Sequence, residues 1–347
     1  MSTRIERLAA RLDDPLLVTG LVNVRYLTGL ESSNAVVLVE PAGEATLYTD
    51  FRYAEAASVV EDARFEQTPR AVLPALAERF SGRRIAVEAA HLSLADAETL
   101  RRGGVELVST SGLVETLRAV KEPGELDALR RAAAISDRVY AELAAQPFVG
   151  RTEAELAWWL EQAWHEEGAD GPAFDAIVAF GENGARPHAK LRDEPIPADT
   201  LVVVDAGCAV DGYRSDCTRT FFTGEPEGRL RELYDLCLRA QLDGLAAVAP
   251  GAAGRDVDAA SRVAIGEAGM SELYGHGLGH GVGLDVHEGP TLRPESDAVL
   301  EPGNVVTVEP GLYLAGDVGV RIEDLVVVTT DGCERLTTVT KDPTRVA

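Results

Sequence analysis

The chain has 347 residues, 46% of them hydrophobic and 26% charged, which is enough for two domains that each bury a core. Its net charge of −24 repels phosphate backbones and anionic lipid, so nucleic acid and membrane are excluded as partners, whereas divalent cations are attracted. Four cysteines without CxxC spacing (Cys208, Cys217, Cys237 and Cys333) describe neither a disulfide framework nor a zinc ribbon.

The N-terminal stretch MSTRIERLAARLDD has helical periodicity at Ile5, Leu8 and Leu12 and lacks the apolar core of a signal peptide. No apolar run approaches the roughly 20 residues that span a bilayer, so a cytoplasmic protein is expected. PLLVTG, NAVVLVE and EATLYTD then read as strands, RYAEAASVVED and AVLPALAERF as helices, and RRIAVEA and VELVST as strands. This alternation predicts a small α/β domain over residues 1–118.

Pro123–Gly124 punctuates the chain ahead of a long helix with apolar positions at Leu126, Leu129, Ala133 and Val139, which places the domain boundary near residue 119. The second domain, 119–347, continues with a helix (EAELAWWLEQAWHEEG), a strand (FDAIVAFG) and a hairpin (LVVVDAGCAVDGYRSDCTRTFF). Two helices follow, around 228–248 and 255–268, and then a glycine–histidine segment. A final pair of strands, NVVTVEPGLYL and GVRIEDLVVVT, ends the pattern. The early and late strand pairs both carry carboxylates, a hint of internal duplication.

Asp211–Gly212 is a two-residue turn signal between β-rich runs. If it forms the loop, residues whose numbers sum to 423 lie opposite each other, so Asp205 faces Thr218 and Asp216 faces Gly207. Asp205 and Asp216 then share a face as diagonal neighbours roughly 7–8 Å apart at the backbone. They can lean together onto metal ions about 3.5–4 Å apart. Cys208 and Cys217 point to the opposite face. Two hairpin aspartates alone could simply sit in water. The flanking LVVVD and CTRTFF runs, however, are apolar enough to be buried, and buried carboxylates need cations.

Glu309 follows a β-branched run and precedes a proline that stops pairing, and Glu323 heads a nearly pure apolar strand. Arg321 shares the face of Glu323 by the period of two, so a plain strand-end salt bridge between them is the simplest alternative. His276, His280 and His287 lie in a segment with glycines at 275, 277, 279, 281 and 283. That segment fits neither GxGxxG nor HExxH, and no Gly-Lys pair for a P-loop occurs in the chain. The glycines argue against a helix and suit an extended or irregular segment where backbone approaches a ligand closely. Four carboxylates and one imidazole without thiolate suit manganese, cobalt or zinc.

VDAGCAVDGYRSDCTRTF, GHGLGHGVGLDVHEGP, VVTVEPGLY and GVRIED together resemble, in order and spacing, the motifs of the pita-bread metallopeptidases (M24). Within that family they look most like the Xaa-Pro peptidases, prolidase and aminopeptidase P. NVRYLTGLESSNAVVLV is similar to the creatinase-like N-terminal domain of the same group. The resemblance implies an α/β (α+β) chain with a pita-bread catalytic domain behind that smaller domain.

It also implies that Asp205, Asp216, His280, Glu309 and Glu323 hold two divalent metal ions, Mn2+ before Co2+ or Zn2+. Asp216 and Glu323 would bridge, Asp205 would serve one ion, and His280 with Glu309 the other. Glu309 would also handle the proton. His287 matches a substrate- or oxyanion-contacting histidine, His188 and His276 match other active-site histidines, and Arg321 matches the arginine beside the last ligand. The expected substrate is a proline-containing dipeptide or short peptide, and the expected assembly a homodimer. A metal-free creatinase-like hydrolase, or a non-catalytic binding protein on the same fold, would be expected to have lost ligand carboxylates, and this chain retains them all. Dipeptidase against aminopeptidase depends on loops beyond the proline, with the compact length leaning towards the dipeptidase.

Overall fold

The computed structural model describes residues 2–346, and the chain divides into two compact units, Met1–Arg118 and Ala119–Ala347. In the first unit the strands are β1 (Leu16–Val18), β2 (Ala35–Val39), β3 (Ala45–Thr49), β4 (Arg64–Gln67), β5 (Arg84–Glu88) and β6 (Glu106–Thr110). They form one mixed sheet in the order β4-β3-β2-β1-β5-β6. Apolar side chains of the helix Val72–Arg79 pack on one face of this sheet with Leu17, Leu38 and Ile85. The expected helix over 52–62 is shorter, Ala54–Ser58, because Ser58 and Val59 lead into a turn and the edge strand β4. The N-terminal helix is Arg4–Ala9, closed at its start by a Thr3–Glu6 capping box, and Leu12 lies beyond its end.

The second unit opens with the helix Pro123–Leu143, whose proline sits in the first turn where a missing N–H costs nothing. The helix Glu153–Glu166 follows, capped by Thr152 and Glu155. Its strands begin with β7 (Gly171–Pro172), β8 (Ile177–Phe180), β9 (Leu201–Asp205), β10 (Cys208–Val210), β11 (Tyr213–Arg214) and β12 (Thr218–Phe222). After the helices Gly228–Ala247 and Gly254–Glu267 come β13 (Gly279–Gly281), β14 (Glu288–Leu292), β15 (Val305–Val308), β16 (Gly311–Leu314), β17 (Val318–Arg321) and β18 (Asp324–Val328). Short strands β19 (Cys333–Arg335) and β20 (Thr344–Arg345) end the chain. The sheet orders are β20-β12-β9-β8, β14-β13-β15-β18-β19, β11-β10-β7 and β16-β17.

The hairpin has the expected register: Thr218 pairs with Asp205, Phe222 with Leu201 and Val210 with Tyr213. Asp211 and Gly212 both adopt positive φ (52° and 81°), the conformation a tight two-residue hairpin turn demands. Cys208 and Cys217 are buried on the far face among Val202, Val204, Tyr140 and Trp164.

The two last strands differ from expectation. Each is broken in two, at Glu309–Pro310 and at Ile322–Glu323, so that β15 pairs with β18 while β16 pairs with β17. The early hairpin breaks in the same way, after Asp205 and around Asp216. All four carboxylates therefore sit where a strand changes sheets. At such points the backbone is released from its ladder and side chains from both hairpins can converge.

Candidate metal centre

Asp205, Asp216, His280, Glu309 and Glu323 line one cavity of about 470 Å³ together with His188, His276, His287, Tyr313 and Arg321. Asp216 (4% exposed) and Glu323 (1%) are the most deeply buried of the carboxylates. Ligand atoms of Asp216, His280 and Glu323 all lie within 4.8 Å of one another. His280 Nε2 is 3.2 Å from Glu309 Oε1 and 3.8 Å from Asp216 Oδ2. Thr218 Oγ1 donates to Glu323 Oε2 at 2.7 Å, and Thr307 Oγ1 donates to Glu309 Oε1 at 3.1 Å.

The glycines around His280 serve contact, not flexibility. A Cβ on Gly279 would collide with the Thr307 carbonyl, and one on Gly281 with the Gly289 carbonyl. Without side chains, β13 slides between β14 and β15 and delivers His280 to the carboxylates.

Arg321 does not pair with Glu323. Its Nη2 donates to Asp205 Oδ2 at 2.6 Å, its Nε to Thr218 Oγ1 at 3.1 Å and its Nη1 to the Tyr313 hydroxyl at 2.9 Å. His276 Nε2 lies 3.0 Å from the same hydroxyl. Tyr313 thus joins two of the expected site residues, a role the motif reading missed. The available signal was its position on the period-two face of Glu309 and Gly311, across the Pro310 break.

His287 is exposed to the cavity and its ring centroid lies 4.3 Å from that of His280. Glu288 accepts a hydrogen bond from Lys121 Nζ at 2.7 Å. His188 is exposed and lines the same cavity as Phe174 and Ile177.

The electrostatics describe a site short of positive charge. Burial, reinforced by the neighbouring Asp205 and Asp216 carboxylates respectively, pushes Asp216 and Glu323 well above the usual carboxylate range. Burial opposes ionisation of His280 too, but Glu309 and Asp216 outweigh it and hold the imidazolium up to about 9. Glu309, despite its burial, is held down at about 2 by His280. Burial lowers both His276 and His287, and the adjacent His280 lowers His287 further, so both are neutral donors or acceptors at neutral pH. Asp205 Oδ1 is buried with no hydrogen-bond partner. An orphaned carboxylate oxygen among crowded carboxylates is what divalent cations would complete, and the oxygen/nitrogen donor set fits them. Another acidic group, Glu88, His91 and Glu115 in the first unit, is already tied up by Thr19 and Gly20 N–H groups and Asn23.

The profile of metallopeptidase family M24 matches residues 127–330, and that of the creatinase/prolidase N-terminal domain matches residues 4–120. The chain belongs to metallopeptidase family M24. Among relatives of this M24 peptidase, the Xaa-Pro dipeptidase of Pyrococcus furiosus is 32% identical, covering 97% of this chain and 98% of its own. The solved Xaa-Pro dipeptidase from Bacillus anthracis superposes with a TM-score of 0.93 at 36% identity, over 98% of both chains. The X-Pro aminopeptidase from Thermotoga maritima superposes with a TM-score of 0.87 at 32% identity, over 97% of this chain and 99% of that one. No helix among the described residues is long and apolar enough to cross a membrane.

Proposed function

We propose that this M24 peptidase is a two-metal exopeptidase that hydrolyses the bond between an N-terminal residue and proline. The observation that carries the reading is the convergence of Asp205, Asp216, His280, Glu309 and Glu323 at strand breaks around one cavity. The Xaa-Pro relatives supply the substrate class. Asp205, Asp216, His280, Glu309 and Glu323 would hold the two ions, and the grouping of Asp216, Glu323 and His280 within ligand reach of one another supports this. Bound divalent ions would supply Lewis acidity and a water of lowered pKa. Mn2+ is the favoured ion, with Co2+ or Zn2+ as substitutes, and the active form is proposed to be a cytoplasmic homodimer.

The protein's own residues do the rest. Phe174, Ile177 and Val286 offer apolar walls against which a pyrrolidine ring can pack. His287 and His188, on the rim of the cavity, donate to the scissile carbonyl as negative charge develops on its oxygen. Glu309 takes the proton of the attacking water and returns it to the proline nitrogen, which leaves as a neutral secondary amine. Arg321 stays charged, since Tyr313, Asp205 and Glu309 outweigh its burial, and it holds Asp205 in line.

Metal-loaded protein is expected to hydrolyse Ala-Pro. Exhaustive chelation should abolish the activity and Mn2+, Co2+ or Zn2+ restore it; full activity in verified metal-free protein would exclude the mechanism. Tyr313→Phe keeps the ring and removes the hydroxyl shared by Arg321 and His276. Loss of one hydrogen bond to a charged group, about 1.5–3 kcal/mol, predicts at least a roughly tenfold fall in kcat/KM at unchanged metal content. A Tyr313→Phe protein with wild-type kinetics would show that Arg321 needs no such support.

A further inference from the structure

Between the short turn Ser271–Leu273 and β13, residues Tyr274–Leu278 belong to no helix or strand, so their backbone N–H and C=O groups need partners from outside a ladder. Two side chains one turn apart on the helix Gly254–Glu267 supply them. Asp258, which is buried, accepts from Leu278 N at 2.9 Å. Arg262 donates through Nη1 to the Tyr274 carbonyl at 3.1 Å and through Nη2 to the His276 carbonyl at 2.6 Å. The pair is locked to itself as well. Arg262 Nε donates to Asp258 Oδ2 at 2.6 Å and Nη2 to Oδ1 at 2.9 Å, the forked geometry that fixes a guanidinium plane. The guanidinium carbon lies 4.2 Å from the centroid of the Tyr274 ring.

These contacts orient the two peptide units on either side of Gly277. Arg262 holds the unit that carries the His276 carbonyl, and Asp258 holds the unit in which Leu278 N–H lies trans to the Gly277 carbonyl. Glycine is required here because a Cβ would meet Arg293 Cβ at 2.7 Å and the Leu292 carbonyl at 2.8 Å, and a glycine without such anchors turns freely. The Gly277 carbonyl so placed is 2.7 Å from His276 Nδ1. A carbonyl only accepts, so Nδ1 carries the proton, and Nε2 of the neutral ring accepts from the Tyr313 hydroxyl 3.0 Å away. That hydroxyl is thereby turned to accept from Arg321 Nη1 at 2.9 Å.

We infer that Asp258 and Arg262 are positioning residues for hydrolysis: by fixing the Gly277 carbonyl they set the tautomer of His276, and through Tyr313 they hold Arg321 against Asp205. The inference takes its reaction from the Xaa-Pro exopeptidase reading. Neither side chain lines the catalytic cavity, so neither touches substrate.

The test uses zinc-loaded wild type, Arg262→Met, Tyr313→Phe and the double variant, with Arg255→Met, exposed on the same helix, as the control. In the NMR spectrum of the ring nitrogens, wild-type His276 should show a protonated Nδ1 and a bare Nε2, and Arg262→Met a mixture of both tautomers. On Ala-Pro, Arg262→Met should lower kcat/KM roughly tenfold, as loss of hydrogen bonds from a charged group does, at unchanged metal content. Because it acts through Tyr313, the same change should cost less than about twofold in the Tyr313→Phe background. Arg255→Met should match wild type. A wild-type His276 protonated on Nε2, or an Arg262→Met protein with the wild-type tautomer, would overturn the inference. So would additive losses of roughly a hundredfold in the double variant, or loss of metal from Arg262→Met, since either would make the pair a general support of the fold. Arg262 is partly exposed, and if Arg262→Met does not fold, Arg262→Lys, which keeps the charge but lacks the fork, enters the same spectrum and cycle. Failure of wild type to cleave Ala-Pro would remove the exopeptidase reading alone, because the ring spectrum judges the clamp without a substrate.

Discussion

His287→Ala is expected to lower kcat on Ala-Pro by about 10²–10³, the cost of losing one donor to a developing oxyanion, roughly 3–4 kcal/mol, while the protein keeps its metals and its melting temperature. His280→Ala, seven residues away, should lose metal and activity together. The contrast follows from position. His280 lies within ligand distance of Glu309 and near Asp216, whereas His287 lies tilted beside it and lines the cavity with its side chain exposed. Metal content, Tm and kcat measured side by side decide the matter. A His287→Ala protein that loses metal, or stays fully active, would contradict the division of labour.

Asp216→Asn should reduce bound metal from about two ions per chain to fewer and abolish turnover, yet make the metal-free protein more stable. Burial and the Asp205 charge raise the Asp216 pKa in the folded state. A folded-state pKa above the unfolded one means the stability contribution is fully present below the ordinary value of 3.8 and is lost as pH rises through the folded value. Glu323, raised from 4.5, acts in the same sense. Metal-free wild type should therefore lose stability from these two groups as pH rises above about 4–5 towards neutrality. The substitution flattens that slope. A Tm gain of about 2–4 °C at pH 7 corresponds to roughly 1 kcal/mol in a large domain. A metal-free variant less stable than metal-free wild type would mean Asp216 is a structural partner and not a ligand held in reserve. The comparison also separates a built metal centre from an ordinary salt-bridge cluster, because only the former is strained when empty.

Much of this centre was legible because its chemistry is tied to turns. Asp211–Gly212 is a strong enough hairpin signal to determine the register, and with it which carboxylate faces which threonine. The late strands were harder. Val305–Val308 and Asp324–Val328 were visible as apolar runs and Pro310 as the point where pairing stops, but the break at Ile322 was not, since the period-two alternation continues across it. The period of two puts Arg321 on the face of Glu323, where a strand-end salt bridge is the simple alternative, but the change of sheet turns it to Asp205 and Tyr313. In the first unit, the helices Leu21–Thr28 and Leu94–Arg102 and the edge strand β4 escaped notice because their patterns are short and mixed with polar residues. The side of the cavity lined by Phe174, Pro187 and His188 is made by loop paths, which no local periodicity encodes.

The closeness of β13 to its neighbours has a further consequence for how this protein tolerates change. Gly279 and Gly281 flank His280 and carry no reactive group, yet neither has room for even a methyl group against backbone that cannot yield. A screen of random variants scored only by turnover would return them with the same intolerance as the ligand between them, although the lesion would be displacement of the imidazole and not removal of a functional group. The local spacing of strands thus narrows the sequences open to drift over a run of positions far longer than the single side chain that does chemistry. Any altered specificity must come from the part of the cleft lined outside the strands, where Phe174 and Val286 can be exchanged without moving a strand.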